Sequence, residues 1–211
     1  MTRGRLVLLA LACALIATAG CGHAESDLAQ SEPVWEEGTR IPILLVRDGE
    51  ETVVDLAEFP VMEGAVRYQG PTMSAGTENW KRSYSYRGVS IFEILAAHGG
   101  LGDLETITVV ATDGWRKTLP RAALEGDTAA GPPVLALSRD EESPAAWENC
   151  PSLVFLSEDG SFGNDDMMET LGEEFAHYFG DQPATTGLLV KNVYALIVDY
   201  SGGDLPLLRR L

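Results

Sequence analysis

The sequence predicts an α+β domain, mostly antiparallel or mixed β-sheet with a few short helices. Short apolar runs alternate at period two between turn-forming pairs such as Asp48-Gly49 and Asp113-Gly114. The clearest helical stripe is brief, with Ile91, Ile94 and Leu95 at i, i+3 and i+4. No internal repeat divides the chain, and the part beyond the N-terminal leader is long enough for one domain with its own core.

Taken in order, the chain opens with a basic pair, Arg3 and Arg5, and an apolar run over residues 6–17, short for a bilayer span. Thr18-Ala19-Gly20-Cys21 then resembles a bacterial lipobox, with Thr18 where leucine is usual. Residues 1–20 therefore read as a lipoprotein signal peptide, and Cys21 as the acylated residue that anchors an exported protein to the cell envelope. That anchor faces the periplasm or the cell surface. An ordinary cleaved signal, with Cys21 incidental, is the alternative. Residues 21–40 are polar and acidic and read as a flexible tether, residues 41–201 as the domain and residues 202–211 as a tail.

Removing Arg3 and Arg5 from the 15 Lys and Arg leaves 13 against 32 Asp and Glu, a net charge of −19. Such a surface repels phosphate and argues against nucleic acid as a partner. With Cys13 in the leader and Cys21 acylated, Cys150 is the remaining thiol, so neither an internal disulfide nor a paired-cysteine metal site is expected.

Residues 41–47 and 51–55 predict a hairpin about Asp48-Gly49, and residues 56–59 a helical turn ended by Pro60. Residues 61–71 predict a strand, 72–79 a loop and 80–86 an extended approach. Ser90 then caps a helix that Gly99 and Gly100 stop. Residues 107–111 and 115–119 form a second hairpin, and Pro120 leads a short helix over 121–124. Residues 134–137 and 153–156 predict buried strands on either side of a charged surface loop, 138–149. The least regular stretch, 157–186, holds a candidate helix over 166–178. Residues 187–200 predict a strong strand, or two with a kink near Asn192.

This order carries a resemblance. A strand, Asp55-Leu56-x-x-Phe59-Pro60, a strand, Arg87-Gly88-Val89-Ser90-Ile91-Phe92-Glu93-Ile94-Leu95, a strand, Asp113-Gly114-Trp115 and Leu119-Pro120-Arg121-Ala122-Ala123-Leu124 succeed one another. Val190-Lys191-Asn192-Val193-Tyr194-Ala195-Leu196-Ile197 closes the series. The pattern resembles the oxidoreductase molybdopterin-binding domain, the sulfite-oxidase-type fold, over about residues 51–200. The resemblance implies a cysteine thiolate on molybdenum in the segment before the Gly-Val helix, because a soft metal in a dithiolene site takes a soft ligand there. Residues 72–80 contain no cysteine, and the implied position falls near Gly76. Basic residues for a pterin phosphate are sparse, with Arg67, Lys81, Arg82, Arg87 and Lys191 nearest in the pattern. The stretch 157–186 stands where a short loop is expected, and its acidity opposes an anionic cofactor.

Other candidate chemistry is thinner. His98 suits a helix C-terminus. His177 with Glu173 or Glu174 has metal-ligand types without a recognised spacing, and residues 159–166 have calcium-type oxygens without the EF-hand register. Ser90, Ser152 and Ser157 lack a nucleophile-elbow setting. Trp80, Tyr86 and Trp115 are aromatics for a cleft or for the core. The expectation is a membrane-tethered domain that binds a small molecule, such as a pterin, or a protein partner, without catalytic residues or a metal. Its cleft candidates are Arg67, Trp80, Arg82 and Lys191, each carried from the resemblance. The alternative is an active molybdopterin-dependent oxidoreductase with an atypical metal site, which holds its cofactor without the usual cysteine or with Cys150 brought into place by the fold.

Overall fold

Turn chemistry and strand alternation produce two β-sheets in the computed structural model, which describes residues 30–31, 35–36, 38–72, 76–125 and 128–199. The expected signal peptide, Cys21, most of the expected tether and the expected tail lie outside the described residues. Among the described residues the strands are β1 (Gln30–Ser31), β2 (Pro42–Arg47), β3 (Glu50–Asp55), β4 (Val61–Tyr68), β5 (Tyr84–Ser90), β6 (Thr106–Ala111) and β7 (Arg116–Pro120). The chain continues with β8 (Pro133–Arg139), β9 (Ser152–Phe155), β10 (Ser161–Phe162), β11 (Tyr178–Phe179), β12 (Gln182–Pro183) and β13 (Val193–Val198). Helix α1 (Ile91–Ala97) comes after β5, α2 (Arg121–Leu124) after β7, and α3 (Asn164–Phe175) after β10.

The first sheet has the order β1-β4-β5-β8-β9, antiparallel throughout, with β10 running parallel beside the far end of β4. The second has the order β3-β2-β13-β6-β7 and one parallel pair, β13 with β2. Ile43, Leu45, Val54, Ile107 and Leu196 of the second sheet share one apolar cluster with Val89, Leu135 and Val154 of the first, and Ile91, Ile94 and Leu95 of α1 join them. This shared core makes the fold a single α+β domain, as the sequence predicts.

Local rules explain most boundaries. Asp48 and Gly49 sit at φ 53° and 78°, the left-handed pair that a two-residue hairpin turn requires. Ser90 accepts the Phe92 N–H at 3.2 Å and starts α1. Gly99 and Gly100, at φ 99° and 72°, end it. Arg47 reaches from β2 to donate to the His98 and Gly100 carbonyls at 2.8 and 2.6 Å, capping α1 with the opposite sheet.

Several expectations shift. β8 extends two residues past the predicted strand, because Ser138 and Arg139 pair with Arg87 and Tyr86. Trp147, placed by the sequence in a surface loop, is buried against Tyr86. The helix of the irregular stretch starts and ends earlier than 166–178: Asp166 accepts the Gly163 N–H at 2.7 Å, and Gly172 at φ 73° breaks its last turn. The final strand begins only at Val193, after Asn192 turns the backbone at φ 52°. The expected tether also reaches less far, since Gln30 and Ser31 pair with Met62 and Val61.

Candidate functional site

The end of β4 builds the region that the resemblance marks. Beyond Tyr68 the chain loops out and returns antiparallel, with Gly70 N–H on Asn79 O at 2.8 Å and Lys81 N–H on Tyr68 O at 2.9 Å. Gly76, in that loop, has φ 73° with nothing within 4 Å of an added Cβ. A cysteine there would have room but would hold a strained left-handed backbone.

Arg67 and Trp80 come together on this return. The guanidinium lies 4.5 Å from the indole centroid, and Arg67 Nε donates to Ser161 Oγ at 2.9 Å. Trp80 in turn donates through Nε1 to Glu78 at 2.8 Å. Arg82 points elsewhere, donating to Asp140 at 3.0 Å and lying over Tyr84. Lys191 is exposed at the other end of the pattern, between Val190, whose carbonyl accepts from Leu153, and Asn192, whose N–H reaches Asn149. Two of the four cleft candidates therefore meet directly.

The space beside Arg67 and Trp80 is filled by the chain's own irregular stretch. Gln69 Oε1 accepts the Asn164 N–H at 2.8 Å, at the start of α3. Thr185 Oγ1 accepts the Gln69 N–H at 2.8 Å and lies 3.0 Å from the Gln69 carbonyl and 2.9 Å from that of Phe162. Asn164 Oδ1 accepts the Thr185 N–H at 3.0 Å, and its amide reaches the Gly70 carbonyl at 3.3 Å. Asn164 and Thr185 are buried, and this network satisfies their side-chain polar atoms internally.

Tested against a molybdenum–pterin group, the residues do not fit. The implied ligand position is a glycine, and Cys150 is no substitute. Cys150 packs against the core, and burial raises its thiol to about 12, so it stays protonated where a metal needs a thiolate. Arg67 and Arg82 are both engaged with protein groups, and Asp140 and Asp159 add negative charge beside them.

A second constellation escaped the sequence reading. Trp115, Phe92, Phe179 and Val53 are the large apolar residues exposed among those described, and two of them meet at His177. Its ring lies edge-on to Trp115 at 6.0 Å and to Phe179 at 4.9 Å. Gly187 lets this happen, because a Cβ there would overlap the imidazole. Lys117, on β7 two residues after Trp115, donates to the Ala176 carbonyl at 3.0 Å. Burial lowers its amine to about 8. Burial, and then the Lys117 charge, hold His177 below its ordinary value. The signal that could have found this patch is the unusual exposure of Trp115 in an Asp-Gly-Trp turn, since the His177 contact is far away in sequence. His177 therefore meets aromatics rather than the acidic neighbours Glu173 and Glu174. His98 keeps to its helix end, with Nδ1 2.8 Å from the Ile94 carbonyl.

No protein-family model and no curated protein matches the chain. Among the described residues, no helix is long and apolar enough to cross a membrane.

Proposed function

We propose that this chain is an exported, lipid-anchored binding domain of the sulfite-oxidase type that carries out no molybdenum chemistry. The observation that carries this reading is the Gln69–Asn164–Thr185 network, which occupies with protein the space next to Arg67 and Trp80. The absence of cysteine from residues 72–80 and the protonated, core-packed Cys150 support it from the side of the metal. The ligand or partner then meets an exposed surface rather than a deep cofactor cleft. The Trp115–His177–Phe179 patch has the chemistry for that, because it offers flat apolar faces beside an amine that sheds its proton near pH 8.

The test is the metal and pterin content of the protein purified from its native host. Elemental analysis reads molybdenum and tungsten, and fluorescence after oxidation reads released pterin. Neither metal nor pterin is the expected result. Stoichiometric metal with pterin overturns the reading and returns attention to an atypical oxidoreductase. Pterin without metal keeps the binding reading and names its ligand.

A further inference from the structure

The stretch that reads as a free tether is fastened to the domain at two points. β1 adds Gln30 and Ser31 to the edge of the first sheet, antiparallel to Met62 and Val61 of β4. Five positions from Gln30, Trp35 packs partly buried against the shared core. The Arg87 guanidinium lies 5.6 Å from its ring centroid, and Arg87 is itself held 3.4 Å from Glu63 of β4. A paired edge strand and a partly buried indole facing a cation are each worth more than a passing contact of a disordered chain.

We infer that Gln30 and Ser31 on the sheet edge, together with Trp35 on the core, are a clasp that holds the domain close to the bilayer, with the β4 edge of the first sheet as its membrane-proximal side. This inference rests on the lipid-anchor reading of Cys21. If Cys21 is acylated, residues 22–29 alone separate the lipid from the clasp. Fully extended, that span reaches on the order of 30 Å, at roughly 3.3–3.6 Å per residue. A tether free through residue 40 would reach about twice as far by the same rule. The partner that fits is therefore the lipid surface itself, with the far edge of the first sheet at β9 turned away from it. β10 lies in line with β1 along β4, so backbone pairing covers both ends of that edge and leaves it little scope to pair with another chain.

The experiment uses the full-length protein, processed in a bacterial host and reconstituted in phosphatidylethanolamine–phosphatidylglycerol vesicles carrying headgroup acceptor dyes. A donor dye is placed at V53C, an exposed position of β3, in a chain also bearing C150S. Ten Gly-Ser residues are inserted either between Gly22 and His23 or between Thr39 and Arg40. With the clasp closed, the upstream insertion lowers energy transfer, whereas the downstream one only enlarges a loop and leaves transfer unchanged. Equal loss from both insertions overturns the clasp. W35A with the downstream insertion is expected to lose transfer as the upstream variant does, and unchanged transfer in that chain assigns no role to Trp35 and overturns the two-point fastening. The mass of the N-terminal peptide separates the two readings. An unacylated terminus removes the lipid anchor and the apposition with it, while an acylated terminus with equal losses removes the clasp alone.

Discussion

Among the described residues no acid pairs with Lys117, and its effect on stability has a definite sign. Burial brings its amine to about 8 from 10.5, so between those values the unfolded chain holds a proton that the folded chain has released. Stability therefore rises with pH through that window, and below it the folded state carries a buried charge. Lys117→Met is expected to raise stability at pH 7 and to flatten the rise between pH 8 and 10.5, read from urea midpoints at both ends. The same change removes the cation that, after burial, depresses His177. Its imidazole should then titrate higher by NMR; an unmoved titration would remove the coupling. For His177 itself the unfolded chain binds the proton more readily, so stability falls as pH drops below 6.5. Cys150 gives a simpler outcome: with its thiol near 12, alkylation at pH 8 should be slow in the native protein and fast in denaturant. The Ser90 cap and the Gly99-Gly100 stop were legible in the sequence because each acts within one turn. The meeting of Trp115 with His177 was not, because the packing of α3 and β11 decides it.

Gly88 sets a limit on how β5 can pair with β8. The register slips between Arg87 and Gly88, and a Cβ at Gly88 would overlap the Leu135 carbonyl and the Ala136 backbone. Gly88→Ala is expected to cost about 1–3 kcal/mol or more, since main chain and not a movable side chain must yield. Gly64, on the neighbouring strand, is the control. A Cβ there meets the Leu156 side chain at 3.6–3.7 Å, ordinary contact, so Gly64→Ala should change the urea midpoint little. The hairpins about Asp48-Gly49 and Asp113-Gly114 and the short helix α2 were readable from turn residues and Pro120. The helix α3 was misplaced because Phe175 and Tyr178 continue an apolar spacing that Gly172 has already interrupted. In the candidate site, the Arg67–Trp80 pair lay within reach of the resemblance. The Asn164 and Thr185 plug did not, because polar residues in an irregular stretch announce no partner.

Over the whole molecule, charge is the quantity that the sequence states most plainly. The segment from Cys21 onward carries −19, and apart from Arg40 with the nearly buried Asp55 the ion pairs among the described residues join exposed or half-exposed partners, such as Arg82 with Asp140 and Arg121 with Glu125. Such pairs contribute about 0–1 kcal/mol each, so diffuse repulsion outweighs them at low salt. Raising sodium chloride from about 10 to about 300 mM is expected to raise the thermal midpoint as the Debye length shortens. A midpoint that falls would mean the ion pairs matter more than the repulsion. The α+β class was legible from alternation and turns. That two sheets share one core was not, because each sheet is assembled by pairing distant segments and the two meet only through side-chain packing.

β13 lies at the centre of the second sheet, between β2 and β6, and runs parallel to β2. The strand at residues 193–198 is thus the wedge that joins two hairpins made much earlier in the chain. Until it arrives, β2-β3 and β6-β7 are isolated two-stranded ribbons, which are marginal in water. Loop-closure entropy over nearly the whole domain opposes the pairing of β13 with β2, so the second sheet is expected to close late, while the first needs nothing from β13. If the chain is exported unfolded, as the proposed lipid anchor requires, a sheet that closes only with its last strand keeps that half of the domain slender until the passage is over.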